Sequence, residues 1–275
     1  MIIGKAISPF ALRKKSSGGG GGNDPDAQAF ITATGISGTN ATATNQLVLD
    51  LKAANIWTKM KAVYPMVGGT ATTCKFNLKD PRDLDAAYRL AFSGGGTHSA
   101  NGYLPNLVNS YANTFLVPSS DLSLNSSHLS FYSRTNSTGS YCDIGSGNNS
   151  TSIGYIQLLS KWIDNKFYAE INDNDFSDNT VADSLGLFIG SRTSSTNVKT
   201  FKNNSAITNK TTALSTFRPS VSITICARNL QNGGVTTYSN RQCAFASIGD
   251  GLTDAEALAL YNAVQTFNTT LARQV

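Results

Sequence analysis

The chain has 275 residues, a net charge of +5 and only 14% charged side chains; it is long enough to bury a core, and sandwiches of roughly 200–250 residues commonly form one domain. Lys5, Arg13, Lys14 and Lys15 fall in the first 22 positions, where no acid occurs, which leaves 18 basic against 17 acidic side chains beyond them. That near-neutral remainder argues against a nucleic-acid-binding domain, which needs a cationic stripe, and the lack of any run of roughly 18 apolar residues argues against membrane insertion.

In chain order, residues 1–15 (MIIGKAISPFALRKK) are followed by two serines and five glycines, a flexible-coil composition. The layout is arm and linker over residues 1–22, then a body over 23–275. A cationic cluster after the apolar run reverses the order of a signal peptide. Read functionally, Ile3, Ile7, Phe10 and Leu12 supply burial and Arg13, Lys14 and Lys15 supply steering for an arm that orders on a partner; the bland reading is a frayed terminus.

Two short N-terminal helices are expected next. Asp24 caps the first, Pro25 takes its first position, Ala27, Phe30 and Ile31 face the core and Gly35 stops it. The second spans 45–54, capped by Thr44, with Leu47, Val48 and Leu51 on one side. The period then shortens to two over 57–64, and strand follows strand to Ser247: 74–78, 87–92, 114–117, 129–134 and 140–144. Residues 155–163 and 166–171 read as a hairpin around Asp164-Asn165; 185–192, 198–202 and 220–228 complete the series, and a polar loop occupies 97–113. Near the end, Phe245 and Ser247 alternate with Ala246 and Ile248, Gly249-Asp250-Gly251 makes a turn, and Thr253 with Glu256 forms a capping box for a C-terminal helix. Ala257, Leu260, Val264 and Phe267 give that helix an apolar face. The fold class is therefore mainly β, an antiparallel jelly-roll or β-sandwich flanked by helices.

The closing strand and helix start resemble those of LamG-like, concanavalin-A-type jelly rolls. Six segments together, IWTKMKAVYPMVGGT at 56–70, KFNLKDP at 75–81, AFSGG at 91–95, THS at 97–99, HLSFYSR at 128–134 and IGDGLTDAE at 248–256, resemble a family of virion structural proteins of tailed bacteriophages, associated with tails or fibres. The resemblance covers residues 24–275 and implies no catalytic residue.

Chemistry-bearing motifs are sparse. A glycosidase needs two carboxylates across a groove, but the only glutamates are Glu170 and Glu256. Glu256 serves the helix cap, and Asn172 stands where an E-x-D-x-E strand would carry its central acid. Asp173 with Asp175 reads as a solvated acidic turn. The run 173–178 lacks the glycine and the twelfth-position acid (Ser184) of an EF-type calcium loop. His98 and His128 are too few for a three-histidine centre and read as surface groups. The glycine runs lack the Lys-Ser/Thr of a phosphate loop. Cys74, Cys142, Cys226 and Cys243 show no zinc spacing and are expected as reduced, buried thiols. No catalytic residue, metal or cofactor is assigned. Tyr103, Tyr155, Trp162, Tyr168 and Tyr238 are candidates by type for stacking on sugars, with core packing as the competing fate.

The expectation is a non-enzymatic component of a tailed-phage virion, assembled in the host cytoplasm as a homo-oligomer. It would hold other virion proteins through residues 1–15 and touch a host surface glycan with its body. The alternative is a lectin-like carbohydrate-binding module without a virion role.

Overall fold

The computed structural model describes residues 22–148, 154–173, 177–212 and 216–275. The arm residues Ile3, Ile7, Phe10, Leu12, Arg13, Lys14 and Lys15, and also Asp175, lie outside them.

The described elements include five α-helices and seventeen strands. The helices are α1 (Pro25–Thr34), α2 (Gly38–Ala53), α3 (Ala71–Cys74), α4 (Pro118–Asp121) and α5 (Asp254–Thr270). The early strands are β1 (Met60–Tyr64), β2 (Ala91–Ser93), β3 (Thr97–Ser99), β4 (Gly102–Leu104), β5 (Tyr111–Asn113) and β6 (Ser127–Ser133). Next come β7 (Ile144–Asn148), β8 (Gly154–Leu159), β9 (Lys166–Asp173), β10 (Ser177–Thr180), β11 (Gly186–Ser194) and β12 (Asn197–Lys202). The last are β13 (Ser205–Lys210), β14 (Thr224–Ile225), β15 (Arg228–Leu230), β16 (Gly234–Thr236) and β17 (Cys243–Gly249).

They form two sheets. The first runs β13-β12-β11-β6-β17-β4-β3, with β1 also on β17; the second runs β10-β9-β8-β7-β14-β5-β2, with β15 and β16 attached through β7. Pairing is antiparallel except where β15 lies parallel to β7. Between the sheets pack Leu129, Phe131, Phe188 and Ile248 from the first and Ile156, Leu158, Phe167 and Ile171 from the second. A second core joins the outer face of the first sheet to α1, α2 and α5, through Tyr132, Ile189 and Phe245 against Phe30, Leu47, Leu51, Leu260 and Phe267. The result is a jelly-roll-like sandwich with α1, α2 and α5 packed on the face of the first sheet that points away from the second. Strands β6 and β17 are buried along their whole length because both their faces are covered.

Several elements depart from the expected ones. Helix α2 begins at Gly38 rather than Asn45, and Thr44 is a buried helical residue, not a cap. Burial of Ala43, Thr44, Leu47, Val48 and Leu51 on one face outweighs the weak helix propensity of its threonines. No strand forms at 74–78: Asn77 takes over the ladder, accepting from the Val63 N–H at 2.9 Å and donating to the Ala87 carbonyl at 3.0 Å. The expected loop at 97–113 contains β3, β4 and β5. The expected strand at 220–228 stops at Ile225, because Cys226 sits at φ 66, where the L side chain interrupts extended backbone.

Two fastenings hold the helical layer. Thr253 accepts from the Glu256 N–H and the Glu256 carboxylate accepts from the Thr253 N–H at 2.8 Å, the expected capping box, while Lys59 pairs with the same carboxylate at 2.6 Å. Beyond α5 the buried Arg273 donates to the carbonyls of Pro65 (2.7 Å), Met66 (2.8 Å) and Ala244 (2.8 Å), and to Asn268 Oδ1 (2.9 Å). Desolvation lowers its pKa to about 10, so the guanidinium stays charged at neutral pH on oxygens alone. Across the sandwich, Arg241 and Asp143, both fully buried, pair at 2.9 Å.

Candidate functional site

The outer face of the second sheet carries a groove of about 450 Å³ lined by Gln157, Leu159, Trp162, Ile163, Asp164, Tyr168 and Arg228. Strand parity builds it. On β8, Ile156 and Leu158 point into the core, so Tyr155, Gln157 and Leu159 point outward; on β9, Phe167 and Ala169 point inward, so Tyr168 and Glu170 point outward. Register then sets two rows across the sheet. Leu159 lies opposite Tyr168, and Gln157 lies between Glu170 on β9 and Gly145 on β7, which faces Arg228 on β15. Leu159 and Gln157 make the floor, Tyr168 and Arg228 stand on opposite sides, and the β8–β9 turn closes one end.

That turn is the Asp164-Asn165 pair expected from sequence. Asn165 adopts φ 65, which Asn tolerates in tight hairpins, and the bonds Trp162 N–H to Lys166 O (2.7 Å) and Asn165 N–H to Trp162 O (2.9 Å) close it. The turn presents Ile163 63% exposed, an apolar side chain held out beside the groove. Tyr168 donates its hydroxyl to Asp164, which raises the phenol to about 12 and lowers the Asp164 carboxyl.

Polar groups converge on the other end. Gln157 donates to the Glu170 carboxylate and accepts from Arg228 Nη1 at 3.4 Å, and Arg228 Nη2 donates to Thr237 Oγ1 at 3.1 Å. Gln157 and Glu170 are buried. The Arg228 guanidinium lies 5.4 Å from the centre of the Tyr155 ring, within cation–π range. Tyr155 lies close against β7 because Gly147 has no side chain: a Cβ there would fall 2.1 Å from the ring. Gly145 does the same for Gln157, whose Cβ would be 2.5 Å away.

Of the five aromatic residues singled out by type, Tyr155, Trp162 and Tyr168 gather at this face. Tyr103 is fully buried, its ring 4.8 Å from Phe92 and 4.9 Å from His98. Tyr238 lies beside Tyr111 and donates to the Val235 carbonyl at 2.9 Å. Asp173 is no solvated acid: it is buried and holds Lys210 at 2.7 Å, while Asp178 holds Lys166 at 2.6 Å, so both carboxylates are occupied by ammonium groups. Neither histidine is a surface group. His128 is buried and bridges the Asp250 carbonyl (2.6 Å) and Ser247 Oγ (3.0 Å), and burial lowers its pKa to about 4; His98 is half-buried among the aromatics, where burial also lowers its pKa. The four cysteines are free and buried. Among the described residues no three His, Cys, Asp or Glu side chains cluster as metal ligands. Gln157, Leu159, Ile163 and Arg228 were missed by sequence reasoning. Parity with Tyr155 points to the first two, whereas nothing in the sequence order reveals that β15 lies parallel to β7.

No family model and no curated protein sequence matches the chain. Solved structures do. A mutant of Trypanosoma rangeli sialidase displaying trans-sialidase activity superposes with a TM-score of 0.52 at 9% identity, over 82% of this chain and 39% of that one. Domain 4 of AbnA, a GH43 extracellular arabinanase from Geobacillus stearothermophilus solved with arabinotriose, gives a TM-score of 0.48 at 13% identity, over 74% and 98% of the two chains. The Ruminococcus gnavus IT-sialidase CBM40 bound to alpha2,6 sialyllactose gives 0.38 at 15% identity, over 49% and 82%. The likeness is one of fold. The chain spans 39% of the length of the trypanosomal sialidase.

Proposed function

We propose that the protein is a carbohydrate-binding module that holds a glycan in the groove of the second sheet without cleaving it. One observation carries the reading: Trp162 and Tyr168 line, beside the apolar Leu159 and Ile163, the same groove as Gln157, Asp164 and Arg228. Sugars offer apolar C–H faces edged by hydroxyls, which suits an aromatic wall with a few placed hydrogen-bonding groups, and the volume falls among small-ligand sites of roughly 300–1,000 Å³. Binding without hydrolysis is supported by the state of the acids. Glu256 is spent on the helix cap, Glu170 lies under Gln157, and Asp164 accepts from Tyr168.

The test is a glycan array probed with the full chain, followed by calorimetry on the sugars retained. Trp162→Ala is expected to weaken binding about tenfold or more, equivalent to about 1.4 kcal/mol. Retention of no glycan, or unchanged affinity in the variant, overturns the reading.

A virion role is the second proposal, supported by the six-segment resemblance to tailed-phage structural proteins. In it, a homo-oligomer is anchored to other virion proteins by residues 1–15, and the groove side faces a host glycan. Protein lacking residues 1–22 is then expected to fold normally but to be missing from purified particles; its incorporation refutes the anchoring role.

A further inference from the structure

We infer that the groove prefers a sugar bearing a carboxylate, received by Arg228. The inference rests on the glycan-binding reading and deepens it. Arg228 differs from the buried Arg241 and Arg273. Arg241 is neutralised by Asp143 at 2.9 Å, and Arg273 is saturated by carbonyl and amide oxygens at 2.7–3.2 Å. Among the described residues Arg228 bonds only to neutral oxygens, Gln157 Oε1 at 3.4 Å and Thr237 Oγ1 at 3.1 Å, and its buried Nε has no hydrogen-bond partner there. A guanidinium has five N–H donors in a planar fork, so two neutral acceptors leave both donors and charge to spare. The Tyr155 ring 5.4 Å away holds the fork in place without neutralising it. A planar carboxylate is the acceptor such a fork matches, through two parallel charge-assisted bonds.

The acids near the groove do not cancel this. Glu170 is 2% exposed and its carboxylate meets Gln157, whose amide stands between it and Arg228. Asp164 is at the other end of the groove, beyond the Leu159 row and around the turn, exposed to solvent and bonded to the Tyr168 hydroxyl and the Lys166 N–H. Charges separated by about 10 Å of solvent are largely screened at about 0.1 M salt. A ligand with its acid at Arg228 and its ring against Trp162 and Tyr168 therefore meets attraction at one end and stacking at the other.

Carboxylate-bearing sugars come as uronates and as sialic acids, and the experiment separates them. The full chain is titrated calorimetrically at about 0.1 M salt with tetragalacturonate, with sialyllactose, and with the carboxyl-reduced form of each. At least one acidic sugar is expected to bind about tenfold or more tighter than its reduced form, the scale of one charge-assisted pair; the sugar that does so names the source. Arg228→Gln, with folding checked by thermal melting, is expected to bring the affinities for the acidic and reduced forms within about twofold of each other. Should that variant fail to fold, Arg228→Lys is expected to weaken the acidic form alone by about fivefold. Equal affinity for acidic and reduced forms overturns the inference yet leaves glycan binding standing, since Trp162→Ala then still weakens it. A preference that survives Arg228→Gln, an Arg228→Lys variant that binds the acidic form unchanged, or a lack of binding to all four sugars also overturns it; in the last case the array decides the broader reading independently.

Discussion

His128 shows how a single side chain can set the conditions under which this protein stays folded. It lies on β6 beneath the helical layer, with one ring nitrogen on a backbone carbonyl and the other on Ser247, which in turn meets Ser130 Oγ at 2.7 Å. Desolvation holds its pKa at about 4, below the usual 6.5 of an exposed histidine. The neutral ring is therefore the one the fold prefers, so the unfolded chain takes up the proton first as pH falls. The stability tied to this ring is complete above about pH 6.5 and is lost between there and about pH 4, on the order of 3 kcal/mol in all. Urea titrations at pH 7 and pH 4.5 are expected to show that loss in the wild type, and His128→Gln is expected to flatten it. An equal pH dependence in the variant would place the acid sensitivity elsewhere. Asp143 and Arg241 are coupled differently: removing either alone strands a buried charge at a cost of about 3–5 kcal/mol, whereas Asp143→Leu with Arg241→Met costs much less than the sum. Chemical denaturation of both singles and the double variant measures this.

At the scale of elements, the β8–β9 hairpin was readable and its neighbours were not. Alternation of Tyr155, Gln157 and Leu159 with Ile156 and Leu158, followed by Asp164-Asn165, fixes two strands, their turn and which side chains share a face. The capping box of α5 was equally legible, because Thr253 and Glu256 act over three residues. What sequence could not give is pairing between distant segments. Residues 74–78 look like a strand but are held by the Asn77 side chain, and β15 meets β7 in parallel across a separation that local pattern does not record. Half of the groove was therefore visible, its aromatic wall, while Arg228 was not. Gly147 ties the two halves together. Gly147→Ala would drive a Cβ into the Tyr155 ring at 2.1 Å, at a stability cost of about 1–3 kcal/mol typical of overpacking. Because Tyr155 supports Arg228, glycan affinity measured by calorimetry is expected to fall even where thermal melting shows the variant folded at the assay temperature.

At the scale of the whole molecule, the sandwich and its helices share the central strands β6 and β17, which face one core on each side. Such sharing predicts that sheets and helices unfold together. The four buried thiols report on this: burial raises Cys74 to about 11 and Cys243 higher still, and they are distributed through the core between the sheets and its margins. None is expected to react with a thiol reagent at pH 8 in the native protein. All four are expected to react across the same denaturant midpoint that tryptophan fluorescence reports; early modification of one would reveal a separately opening part.

The one-sided placement of the helices has a practical bearing. Leu258 on α5 and Leu49 on α2 are 43% and 41% exposed, in the helical layer, which the two sheets separate from the groove. A dye or a biosensor tether coupled through a cysteine substituted at either position would leave the groove side presented outward. Every molecule on such a surface would then share one orientation.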